Sequence, residues 1–171
     1  MKTFFLTAIL MLLSINTSFA GQCYGAFKQA KELEKIVQDV YLVSEGDDTW
    51  EGFASWAPIS EINEKEIRKA LRLGETYEGQ EAYFSMEGHA EVYDFLRNEI
   101  ESYSPQYYDD ELAQEKLKNL MEAISQKYGK KVRLIMFGEG DGNAVFIGDH
   151  MIIMIDEMGC VLGLKALTVW T

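Results

Sequence analysis

Apolar positions recur at two different spacings along the chain, and the change of spacing divides it in two. From Ala26 to about Ser44, Ala30, Leu33, Ile36, Val37 and Val40 fall at helical intervals. Lys31, Glu32, Glu34, Lys35 and Asp39 face the other way, so the pattern predicts an amphipathic helix. The cluster Ser44-Glu45-Gly46-Asp47-Asp48 reads as a turn, and Trp50–Ala57 as a strand ended by Pro58. Asn63 with Glu66 forms a capping box for a short helix, Glu64–Leu73, which Gly74 closes. A short strand at Glu81–Met86 precedes a helix at His89–Ser102, with Val92, Phe95, Leu96 and Ile100 on one face. After Pro105, Asp109 or Asp110 caps a long helix to Tyr128, striped by Leu117, Leu120, Met121 and Ile124. Gly129 then suits the helix end, and Lys127, Lys130 and Lys131 suit its negative pole.

Beyond Lys131 the spacing is that of strands. Val132–Phe137, Ala144–Gly148, Met151–Ile155 and Cys160–Trp170 are β-rich runs. They are joined at Gly138-Glu139-Gly140-Asp141-Gly142-Asn143, at Gly148-Asp149 and at Glu157-Met158-Gly159. Connections this short imply an antiparallel meander. Val132–Phe137 and Met151–Ile155 are apolar at nearly every position, which predicts a sheet covered on both faces. The expected fold is therefore α+β: a largely antiparallel sheet with helices on each side.

The first twenty residues follow different rules. Lys2 precedes an apolar run from Phe4 to Leu13, and Ser18-Phe19-Ala20 is a small-x-small site. This is the pattern of a cleavable signal peptide, too short to span a bilayer. The expected mature chain is one domain, residues 21–171, in the periplasm or secreted. Gln22 before Cys23 does not fit a lipidation site. Lys2 is the only charge in the leader, so the mature chain is one unit more negative than the formal −12 of the full chain. Such a surface repels nucleic acid and anionic lipid, and favours a basic partner or cations. Cys23 and Cys160 fit no metal motif, and in an oxidising compartment they can form one disulfide.

Little in the chain suggests catalysis. There is no Gly-x-Ser-x-Gly, and His89 and His150 fall in different elements, His89 near a helix start and His150 in a hairpin turn. Glu139, Asp141 and Asn143 alternate with glycines but miss the spacing of a calcium loop, and no Gly-Lys-Ser/Thr follows for phosphate. The stretch Glu45–Glu51 is more informative. It mixes Glu45, Asp47 and Asp48 with Trp50, a combination suited to engaging a basic cleft.

Three stretches resemble the nuclease A inhibitor-like family. One is Leu33-Glu34-Lys35-Ile36-Val37-Gln38-Asp39-Val40-Tyr41-Leu42-Val43-Ser44-Glu45, continued by Trp50-Glu51-Gly52-Phe53 and Trp56. The second is Tyr107-Tyr108-Asp109-Asp110-Glu111 with the helix after it. The third is Ile153-Met154-Ile155, Gly159-Cys160-Val161-Leu162-Gly163-Leu164 and the ending Val169-Trp170-Thr171. Pro58–Glu81 and Gly138–Asn143 depart from the family's pattern. The resemblance implies an α/β/α sandwich of the PR-1-like type. It also implies a non-enzymatic protein, with no cofactor and no metal of its own, that blocks a sugar-non-specific nuclease of the ββα-metal class. It assigns contact with the nuclease's metal site to Glu45 and Thr171, with Trp50 in support. Two other readings stand beside it: an envelope interaction module with a different partner, and a small hydrolase in which His89 or His150 meets acids in a pocket.

Overall fold

The computed structural model describes residues 23–43, 48–103, 108–140 and 146–170. Its elements, in chain order, are α1 (Tyr24–Ile36), β1 (Glu51–Ala54), α2 (Glu64–Leu71), β2 (Thr76–Tyr77), β3 (Gln80–Glu81), β4 (Tyr83–Glu87), α3 (His89–Ser102), α4 (Tyr108–Tyr128), β5 (Val132–Gly140), β6 (Phe146–Ile155) and β7 (Val161–Trp170). Five strands form one antiparallel sheet in the order β1-β7-β6-β5-β4, and β2 and β3 make a separate two-stranded ribbon.

The strand period of two sorts the core into two layers. Leu134, Ile152, Met154, Leu162 and Leu164 turn towards α1, α3 and α4, where they meet Ala30, Leu33, Val92, Leu96, Leu117, Leu120 and Ile124. Their neighbours Ile135, Phe137, Met151, Ile153, Ile155 and Val161 turn the other way, onto Ile67 of α2. The nearly unbroken apolar runs thus have the cause expected of them. Both faces of the central strands are buried, α1, α3 and α4 covering one, and the short α2 with Ile59, Ile62 and Tyr77 the other.

A disulfide joins Cys23, at the start of α1, to Cys160, just before β7, across 137 residues of sequence. Both cysteines are buried. The Ser55 hydroxyl lies 3.8 Å from Cys23 Sγ and accepts the Val161 N–H at 3.0 Å, linking the bridge to the β1 edge.

Several expected boundaries are corrected. The first helix stops at Ile36 rather than near Ser44. The residues that follow are rich in β-branched side chains, which are stiff in a helix, and Asp39 adopts a left-handed φ of 64°. Backbone groups there bond to more distant side chains instead: Lys116 Nζ of α4 donates to the Gln38 carbonyl, and Tyr103, just past α3, to that of Tyr41. Asn63 caps α2 as expected, accepting the Glu66 N–H at 2.9 Å, but the left-handed closing residue is Arg72 rather than Gly74. The largest correction concerns Gly148-Asp149. It is no turn, because β6 runs unbroken from Phe146 to Ile155. Gly148 pairs with Gly138 of β5, and a Cβ added at Gly148 would lie 2.4 Å from the Gly138 Cα. The glycine serves close backbone approach rather than chain reversal. His150 consequently lies inside a strand and is buried, not in a hairpin turn.

Candidate partner-binding site

Among the candidate residues, Glu45, Asp47 and Thr171 lie outside the described residues, and Asp48 and Trp50 lie within them. Asp48 is committed to the backbone. Its Oδ1 accepts the Thr49 N–H at 2.9 Å, and its Oδ2 accepts the Leu167 N–H at 3.1 Å. The second bond matters most. The β1–β7 pairing ends at Glu51 and Lys165, so the backbone of β7 beyond that point needs another partner. Asp48 supplies it and ties the end of the acidic stretch to the last strand of the fold.

Trp50 is not displayed. It is 5% exposed and packs edge-on against Phe95 of α3, with ring centres 6.2 Å apart. Its Nε1 is buried without a hydrogen-bond partner among the described residues. The ring is therefore part of the core. The aromatic and aliphatic side chains that do face outward beside the stretch are Tyr41, Val43 and Leu167, which sequence reasoning did not single out as contacts.

Asp48 opens onto a cleft of about 300 Å³, walled by Glu34, Glu51, Asp149 and Lys165. Glu34 Oε2 accepts from Lys31 Nζ and from the Gly52 N–H, both at 2.6 Å. Burial alone would raise its pKa, but those two donors hold it below the usual carboxylate range. Asp149 moves the other way. Burial raises it, and the charges of Glu51 and Asp48 add to the rise against the pull of Lys165. Lys165 sits 3.6 Å from Glu51. The cleft is thus acidic, with one lysine among four carboxylates. Asp149 belongs to it only because β6 is continuous, and the sequence reading had placed that residue in a turn.

A second concavity, of about 370 Å³, follows the β1 edge beside the disulfide, with Tyr24, Phe27 and Trp56 on its rim. Lys31 stands over Phe27 and Arg72 over Trp56.

Neither histidine is among the described residues that line the two clefts. His150 is 2% exposed, stacks on Phe95 with ring centres 5.1 Å apart, and places Nδ1 3.1 Å from Thr168 Oγ1. Burial lowers its pKa to about 4, so it is neutral at pH 7. His89 opens α3, outside both clefts. Among the described residues no three histidine, cysteine, aspartate or glutamate side chains converge as metal ligands, and no helix is long and apolar enough to cross a membrane.

Fold and site together define the class: an α+β sandwich, closed by a disulfide, with an acidic cleft where its first and last strands meet. No protein-family model matches the chain, and no curated protein matches it in sequence.

Proposed function

We propose that this is an exported protein that binds a basic, metal-dependent, sugar-non-specific nuclease and blocks its active-site cleft. The observation that carries the reading is the bond from the Leu167 N–H to Asp48. It ties Asp48, in the described part of the acidic stretch, to Leu167 of β7, and so supports a contact that draws on both segments of the chain. A nuclease cleft holds a polyanion and a hard cation. Carboxylates are suitable ligands, or water-bridged partners, for that cation, and the strongly negative surface steers the protein to the same cleft as phosphate. In this reading Glu45 and Thr171 enter the cleft, while Asp47 and Asp48 supply charge around them. The disulfide is of the kind that persists outside the reducing cytoplasm and is compatible with export.

The test is titration of purified residues 21–171 into assays of several exported ββα-metal nucleases. Activity should vanish near one equivalent for at least one of them. Glu45→Ala and deletion of Thr171 should each weaken inhibition by more than ~1 kcal/mol, as interface anchors do. No inhibition of any such enzyme by stoichiometric protein would overturn the proposal. The aromatic rim of Tyr24, Phe27 and Trp56, which the nuclease reading leaves unused, favours a second reading as an interaction module for another envelope protein. Retrieval of a non-nuclease partner whose binding is abolished by Trp56→Ser would support that one.

A further inference from the structure

We infer that the outer edge of β1, walled by one side of α1, captures an extended segment of a partner protein as an added strand. The segment carries apolar side chains at alternate positions and a lysine or arginine at the end beside Glu51. The inference gives the interaction-module reading its binding mode, and it rests on that reading rather than on the nuclease contact.

β1 is an outer strand of the five-stranded sheet. In an antiparallel pair the backbone groups of successive residues point alternately towards the neighbouring strand and away from it. The Ser55 N–H donates to the Val161 carbonyl at 2.7 Å, so Ser55, and with it Phe53 and Glu51, faces β7. Gly52 and Ala54 therefore face away from the sheet. The Gly52 N–H is met there by the Glu34 carboxylate at 2.6 Å. The Ala54 N–H and carbonyl have no hydrogen-bond partner among the described residues. A donor and an acceptor on one outward-facing residue are what an added strand pairs with.

The side chains beside this edge suit the same occupant. Ala26, Ala30 and Leu33 bury one face of α1, which turns the stripe Tyr24, Phe27, Lys31 and Glu34 along the edge of β1. Helix and strand are held at one spacing, since a Cβ added at Gly52 would lie 2.7 Å from the Ala30 carbonyl oxygen. Tyr24 is 75% exposed, Phe27 48% and Trp56 64%, and all three border the concavity of about 370 Å³. Clustered exposed rings mark an interaction surface, and alternate side chains of an added strand would reach them. Glu51 borders both this concavity and the acidic cleft, where Lys165 is the one cation among the described lining residues. A basic side chain at that end of the segment complements these carboxylates. The same charge disfavours a second copy of the chain, because pairing two β1 edges joins two molecules that each carry a formal −12.

The experiment selects phage-displayed random heptapeptides on residues 21–171, then titrates the recovered peptides, made with a fluorescent label, by anisotropy. They should alternate apolar and polar residues and end in lysine or arginine. Phe27→Ser and Trp56→Ser should each weaken binding about tenfold or more, as loss of an interface anchor does. Ala54→Pro should do the same, because it removes the outward N–H and leaves the bonds to β7 in place. N-methylation of alternate peptide amides should abolish binding in one register and spare it in the other, which contact with the rings alone would not produce. Failure of any peptide to enrich would overturn the inference. So would equal tolerance of both N-methyl registers, or binding unchanged in both Phe27→Ser and Trp56→Ser. A dimer in sedimentation that Trp56→Ser dissociates would put a second copy at this edge and overturn the assignment. If Ala54→Pro fails to fold, the N-methylated peptides carry the backbone test. If Trp56→Ser abolishes capture of an envelope protein while no peptide pairs with β1, the module reading stands and strand addition fails. If the peptide results hold while no envelope protein is retrieved, strand addition stands and the module reading fails.

Discussion

His150 carries the pH response that a single residue can impose on this fold. It is buried against Phe95 and bonded to Thr168, and burial lowers its pKa from 6.5 to about 4. Between those values the unfolded chain binds a proton that the folded protein does not. The histidine's contribution to stability is therefore complete above pH 6.5 and is lost as pH falls towards 4, by at most about 3 kcal/mol. Glu99 and Asp149 work in the opposite direction. Their carboxyls are raised, so the folded state takes up their protons first, and the stability they add on the acid side fades as pH rises through their folded pKa values. Denaturant unfolding measured from pH 7 to pH 4 should show falling stability, and His150→Gln should flatten that slope. An equal slope in the variant would assign the acid response to other groups.

At the scale of elements, the helices with a full apolar stripe were legible. His89–Ser102 has the predicted ends, because Gly88 and the four-residue recurrence of Val92 and Leu96 are local signals. The end of α1 was not legible, since the Tyr41 and Val43 N–H groups are met by Tyr103 and Glu99, more than fifty residues away. Gly148 misled for a related reason. A glycine beside an aspartate is a turn signal, but here it allows β6 to approach Gly138 of β5. Gly148→Ala should therefore cost about 1–3 kcal/mol, as overpacking against rigid backbone does. Urea titration measures this directly. A variant as stable as the parent would mean that the two strands separate there at little cost.

For the whole molecule, the closure between its two ends dominates. The first strand pairs with the last, and the Cys23–Cys160 bridge spans 137 residues beside that pairing. Cross-linking so long a loop restricts the unfolded chain, and the chain-entropy argument gives about 5 kcal/mol. A Cys23→Ser, Cys160→Ser double variant should unfold at markedly lower denaturant concentration than the oxidised protein. Dithiothreitol should lower the oxidised protein to the same level and leave the variant unchanged. The same closure brings Asp48 to Leu167 and so assembles the acidic cleft from residues far apart in sequence.

The sequence by itself determined the α+β class, the antiparallel meander and the burial of both sheet faces, because each follows from the spacing of apolar residues over a few turns or strands. It also marked the acidic stretch and the two cysteines, which are matters of composition. Tertiary structure alone decided that Trp50 packs inside, that Asp149 joins the cleft, and that Glu99 sits in the core holding Val43. Each of these depends on which distant backbone or ring stands opposite, and a hydrogen bond or a packed ring between residues so far apart in sequence leaves no local period to read.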